Sequence, residues 1–145
     1  MNPTIEKFGY PDTVIGETTH WVVLLRPAQV TLGSLVVAAK SDATAFGQLS
    51  PDYHADLAQV TRRVEAMLSE AVDHERMNWL MLMMVDPQVH FHVLPRYDGT
   101  RDNAGISIND AGWPGPPDLK SALALSDEQK AQLRDWLREL WQATA

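Results

Sequence analysis

The sequence predicts an α+β domain built on an antiparallel sheet. Three observations lead there. Short apolar, β-branched runs come in pairs joined by short links, as antiparallel neighbours do. One long stretch with apolar residues at three- and four-residue spacing separates the two groups of runs. A second helical stretch, opened by a capping box, closes the chain. Strands, helix, strands, helix is the order of an α+β fold.

Val14 to Glu17 and His20 to Leu25 read as a hairpin around Thr18-Thr19, with Arg26-Pro27 ending the second strand. Leu35-Val36-Val37-Ala38-Ala39, after Gly33, reads as a third and well-buried strand. Ser50-Pro51-Asp52 signals a helix start: serine at the N-cap, proline in the first turn and an acid at the positive dipole end. Leu57, Val60, Val64, Met67, Leu68 and Ala71 then trace one apolar stripe, while Arg62, Arg63, Glu65 and Glu70 fall on the solvated side. Two further strands are expected at Leu80 to Val85 and Gln88 to Leu94, joined only by Asp86-Pro87. Met81, Met83 and Met84 are read as core filler. The loop-rich stretch after Pro95 holds Arg101, to which the sequence gives no role, and a short edge strand at Ile106 to Ile108. Trp113-Pro114-Gly115-Pro116-Pro117 reads as a rigid turn. Ser126 to Gln129 forms the capping box, and Leu133, Trp136, Leu137, Leu140 and Trp141 give the last helix a stripe that docks on the domain or on a second subunit. Residues 1–105 form the domain proper, and 106–145 a C-terminal extension of loop and amphipathic helix packed on it.

At 145 residues the chain suits one core. The absence of cysteine removes disulfides, thiolate zinc sites and a cysteine nucleophile. A formal charge of −7 argues against a nucleic acid polymer as partner, since such binding needs a basic surface. It leaves room for a small anion, because a few local donors hold a phosphate in an acidic protein. No apolar run reaches the roughly 20 residues of a membrane span, and the first residues lack the pattern of a signal peptide. The expectation is a cytoplasmic protein without a membrane partner.

The chemistry-bearing stretch is Gln88-Val89-His90-Phe91-His92-Val93-Leu94-Pro95-Arg96. On a strand, Gln88, His90 and His92 share one face about 6.5–7 Å apart, and Val89, Phe91 and Val93 face the core. Two imidazoles at that spacing address neighbouring atoms of one phosphate, one as nucleophile and the other as donor or acid. The same alternation fits a plain polar sheet face. It also fits a His-x-His metal site, though no third ligand has matching spacing. His20, His54 and His74 are scattered and read as surface or structural residues.

The stretch resembles the histidine triad signature, His-φ-His-φ-His-φ-φ with φ apolar, continued by Pro-Arg. Upstream, Trp21 to Arg26 is similar to the strand entering that family's nucleotide site. Gly33-Ser34-Leu35-Val36-Val37 is similar to its Gly-His-x-x-φ strand, and Leu49 to Val64 to the start of its long helix. The resemblance spans residues 4–100 and marks a divergent, bacterial-type member. It implies a HIT-like fold with a five-stranded antiparallel sheet, one long helix and dimerisation into a larger continuous sheet. It also implies hydrolysis or transfer of nucleotidyl groups from dinucleoside polyphosphates or nucleoside phosphoramidates. His90 would be the nucleophile that forms a nucleotidyl-histidine, and His92 would hold a phosphate oxygen or the leaving group. No metal or other cofactor is required.

Several positions depart from the pattern. Gln88 replaces the first histidine and cannot shuttle a proton, though its amide can orient His90 or bind an oxygen. Ser34 stands where relatives carry a histidine, and Leu25 near their ribose-contacting asparagine. Asp86-Pro87 replaces a Gly-Gln loop. Arg96 is a further candidate for phosphate. The expectation is a nucleotidyl hydrolase or transferase with catalytic His90 and His92 and substrate-binding Gln88, Ser34, Leu25 and Arg96. The alternatives are a nucleotide-binding module without catalysis and a His-x-His metal protein.

Overall fold

The computed structural model describes residues 1–145. In chain order its elements are a short helix α1 (Pro3–Lys7), then β1 (Val14–Glu17), β2 (Trp21–Leu25), β3 (Ala28–Gln29) and β4 (Leu35–Ala39). The long helix α2 (Pro51–Val72) follows, then β5 (Arg76–Leu80), β6 (His90–Arg96), β7 (Thr100–Asn103), β8 (Ile106–Asn109), β9 (Leu123–Ala124) and α3 (Asp127–Gln142). The main sheet has five strands in the order β1-β2-β4-β6-β5, and every neighbouring pair is antiparallel. The strand pairs β3-β9 and β7-β8 lie outside it. No helix is long and apolar enough to cross a membrane.

The alternation of strand side chains gives the sheet two differently covered faces. Trp21, Val23, Leu25, Val37, Phe91 and Val93 meet the stripe Val60, Val64, Met67, Leu68 and Val72 of α2 in one core of 23 buried residues. Leu133, Leu137 and Trp141 of α3 belong to the same core, so the terminal stripe docks on its own domain. Fully burying a leucine contributes about 1.5–3 kcal/mol, which makes Leu133 and Leu137, together with the larger Trp141, the main anchors of α3. Gly16 allows the close approach: the Trp141 indole occupies the space its Cβ would take. Arg138 Nε donates to the Val14 carbonyl at 2.6 Å, and the Arg63 guanidinium lies 3.8 Å from the Trp141 ring centroid. The other face carries Val22, Leu24, Val36 and Ala38, sealed by Ile5 of α1.

The helix starts differ in detail. The α3 capping box forms as expected: Ser126 Oγ accepts from Gln129 N, and Gln129 Oε1 from Ser126 N. At α2, Pro51 and Asp52 stand in the first turn, but the Ser50 side chain makes no capping bond. Its carbonyl instead accepts from Tyr53 N at 3.0 Å. The helix α1 has its own cap, Asn2 Oδ1 accepting from Ile5 N at 2.9 Å.

The strand pair around the motif departs most from expectation. The run expected to be extended from Leu80 to Val85 leaves the sheet at Leu80, and the strand begins instead at Arg76. Met83 has φ 43°, a left-handed backbone that no strand accommodates. Residues 81–89 therefore form a nine-residue loop rather than a two-residue turn. Met84 is 82% exposed and Val85 84%, so Met84 is not core filler, whereas Met81 does pack on the core. Gln88 precedes β6 instead of belonging to it.

Candidate active site

The register of β6 against β4 sets the centre of the site. Val36 pairs with His92 and Ala38 with His90, so both imidazoles stand on the face that α1 covers. Phe8, the residue after α1, lies against both rings at centroid distances of 5.7 Å. The two imidazoles are 5.0 Å apart, nearly perpendicular. A cavity of about 350 Å³ opens in front of them, lined by Lys7, Phe8, Arg26, His90, His92 and the loop Leu82–Asp86. The exposed side chains of Leu82, Met84 and Val85 form an apolar lip on one side. Lys7 Nζ and Asp86 Oδ1 bridge the rim at 2.7 Å.

Hydrogen bonding assigns each ring a state. His90 is 1% exposed and its Nδ1 lies 2.7 Å from the Gln88 carbonyl. A carbonyl only accepts, so Nδ1 carries the proton, and in the neutral ring the lone pair is on Nε2. His92 is the opposite. Arg26 Nε donates to His92 Nδ1 at 3.3 Å, and an arginine has no acceptor to offer, so Nδ1 holds the lone pair and Nε2 the proton. Burial, then the charge of Arg26, then His90, lower the His92 pKa to about 4, with Asp86 opposing. His92 is thus a neutral ring with an N–H to donate. Arg26 itself is half-buried, its pKa lowered by that burial, and it has no carboxylate partner.

The other expected residues scatter. Gln88 lies beside the site, but its amide is turned to α1, where Oε1 accepts from Thr4 Oγ1 at 2.5 Å; its backbone, not its side chain, orients His90. Leu25 points the other way, fully buried in the main core opposite Leu35. Alternation along β2 gives the site face to Val22 and Leu24, and next to Arg26. Ser34 is fully buried ahead of the Leu35↔Val93 pair, with Oγ donating to the Thr31 carbonyl at 2.7 Å. Arg96 shares the strand face of His92 but stands four residues along, about 13 Å at a strand's rise. Four of its five N–H donors are used internally: Nε and Nη2 on Asp110, Nη1 on Asn78 and Nη2 also on the Gly115 carbonyl. The Trp113–Pro116 turn packs there, away from the histidines. Arg26, by contrast, lines the pocket, and reading it only as the end of a strand passed it over.

A metal reading finds little support in this geometry. No three His, Asp or Glu side chains come together to hold an ion. The guanidinium beside His92 also opposes a second cation there.

A protein-family model described as HIT domain matches residues 7–99. Among solved structures, a histidine triad (HIT) protein of Sinorhizobium meliloti has a TM-score of 0.73 at 23% identity, covering 96% of this chain and 94% of that one. A histidine triad protein of Bradyrhizobium japonicum gives 0.72 at 21% identity, covering 96% and 95%. A hypothetical histidine triad nucleotide-binding protein of Sulfolobus tokodaii gives 0.69 at 19% identity, covering 97% and 90%. No curated protein matches the chain.

Proposed function

Because the chain belongs to the HIT domain family, we propose that it is a nucleotidyl hydrolase or transferase, acting on an α-phosphate-linked nucleotide through a nucleotidyl-histidine at His90. The observation that carries this reading is the bond from His90 Nδ1 to the Gln88 carbonyl, which leaves Nε2 as the ring's only nucleophile. Nε2 forms a bond to the α-phosphorus, and the bond from phosphorus to the leaving group breaks with its electron pair. The ring becomes a nucleotidylated imidazolium, its Nδ1 proton still shared with the carbonyl. Water then attacks phosphorus, the N–P bond returns its pair to Nε2, and a proton passes to solvent. In a transferase another hydroxyl takes the water's place. His92 Nε2–H donates to a phosphate oxygen, where charge accumulates as the bond forms. Phe8 packs against both rings and helps to hold them in place.

A homodimer belongs to the same proposal. β5 is an end strand of the sheet, with β6 on one side and no partner on the other. Such an edge is open to pairing with a second copy. A cytoplasmic location is part of the proposal as well.

One observation favours the binding module instead. Gln88 Oε1 accepts from Thr4 and the residue does not line the pocket, so it does not replace the missing first histidine as a group in contact with ligand. Product analysis with diadenosine tetraphosphate and adenosine phosphoramidate separates the two. The expected result is release of AMP from at least one of them. A melting temperature raised by AMP, with no product from either compound, would leave the binding module standing.

A further inference from the structure

We propose that Arg26 fits this site to leaving groups that depart as anions, so that it cleaves phosphoanhydrides in preference to phosphoramidates; the inference rests on the nucleotidyl-transfer reading above. Three observations carry it. Arg26 Nε donates to His92 Nδ1 at 3.3 Å, which fixes His92 as an N–H donor. Arg26 Nη1 donates to the Ala28 carbonyl at 2.5 Å, and the backbone N–H of Arg26 to the Ser34 carbonyl, so the residue is anchored at both ends. Nη2 donates to no protein group, and the guanidinium lines the same cavity as both histidines. A half-buried guanidinium without a carboxylate, in a chain of net charge −7, is a cation held for an anion.

The chemistry of departure turns this into a preference. When His90 Nε2 attacks a phosphoanhydride, the electron pair of the breaking P–O bond leaves on a phosphate oxygen. That product is a stable anion and needs charge stabilisation, not a proton. When the same nitrogen attacks a phosphoramidate, the P–N bond breaks toward an amine, which departs only after its nitrogen has gained a proton. Among the groups lining the pocket the Lys7 ammonium carries a proton, but it is tied to Asp86 at the rim. Gln88 cannot shuttle one. Arg26 does not give one up. The groups facing His92 are Arg26 and Lys7, His90 and Asp86. Lys7 is bridged to Asp86, and the net effect on His92 keeps the ring neutral down to about pH 4. The pocket therefore supplies an unpaired positive charge and a neutral N–H, which suit an anionic leaving group. Arg26 is a positioning residue for His92 and, through Nη2, the contact for the departing phosphate.

The test compares diadenosine tetraphosphate with adenosine phosphoramidate between pH 5 and 8 for the wild type, Arg26→Gln and Arg26→Lys. The imidazole nitrogens of His92 are followed by NMR over a wider range, from about pH 3 to 8, because the wild-type ring titrates near 4. Wild-type kcat/KM is expected to favour the polyphosphate by at least about tenfold. Arg26→Gln should lose about ten- to a hundredfold on the polyphosphate and far less on the phosphoramidate, with His92 titrating at least about one unit higher. Arg26→Lys, which keeps the charge, should recover part of the polyphosphate rate. Equal losses on both substrates, with His92 titrating as in the wild type, would overturn the assignment of Arg26. Absence of turnover of both substrates by the wild type would overturn the reading of the site. That failure is distinguishable, because the His92 titration would still move in Arg26→Gln.

Discussion

Replacing His90 with alanine is expected to lower kcat/KM for nucleotidyl transfer by at least about a thousandfold, because the step loses its only nucleophile. The loss should lie in kcat. The pocket wall made by Phe8, Arg26 and the loop Leu82–Asp86 stays in place, so nucleotide affinity should change by only a few-fold. The His90 ring is almost wholly buried, and alanine leaves a small cavity beneath Phe8. His90→Asn fills more of that space and should be equally inactive, while restoring part of any loss in melting temperature. A variant at this position that keeps near-wild-type turnover would show that another group attacks phosphorus.

The largest effect on stability is expected at Asp110. Its carboxylate takes Arg96 Nε at 2.8 Å and Arg96 Nη2 at 3.0 Å, and Oδ2 also accepts from Tyr97 N at 3.1 Å. Both side chains of the pair are almost sealed from solvent. Asp110→Ala strands a guanidinium and a backbone N–H in the interior, at a cost of about 3–5 kcal/mol. For a chain of this size that is a fall in melting temperature of about 10–16 °C. A double variant, Arg96→Met with Asp110→Ala, removes the uncompensated charge and should lose less than the sum of the two single variants. A fall of under about 2 °C for Asp110→Ala would mean that water reaches Arg96. The neighbouring Tyr97 hydroxyl accepts from Leu32 N and donates to the Ile108 carbonyl, its pKa pushed up to about 12 by burial, so the same corner ties β8 to the turn before β4. Arg96 is thus a structural residue, although its sequence position beside the motif suggested phosphate.

Strands and long helices were legible where a β-branched apolar run or a helical period marks several residues in a row. Leu35–Ala39 is a strand end to end, and the α2 stripe Val60, Val64, Met67, Leu68 is buried as its spacing implied. The unread elements are those whose signal is short or ambiguous. α1 spans five residues, too few for a period, and only Asn2 followed by Pro3 announces it. Leu80 to Val85 is apolar throughout, so nothing in its composition marks the left-handed turn at Met83 that takes the chain out to the pocket rim. That turn makes the loop before the motif longer than Asp86-Pro87 alone.

The candidate site was legible at its centre and not at its edges. His90 and His92 lie side by side because their spacing is two on a strand, a rule that needs no other part of the chain. Leu25 and Arg26 illustrate the limit. The family pattern drew attention to Leu25, but alternation from the core-facing Trp21 and Val23 puts Leu25 in the core and Arg26 on the site face. Ser34 and the Gln88 side chain are local in another way. The Ser34 hydroxyl bonds to Thr31, and Gln88 Oε1 accepts from Thr4 of α1. A one-dimensional pattern does not show such partners.

The central claim is that His90 Nε2 becomes covalently bonded to a nucleotidyl group. Intact-mass and peptide mass spectrometry after brief incubation with diadenosine tetraphosphate, quenched with denaturant, tests it most directly. The expected result is a single added AMP on the peptide containing His90, absent from His90→Ala and decaying in time as AMP appears in solution. AMP released at full rate with no adduct, or an adduct on the His92 side chain that persists in His90→Ala, would contradict it.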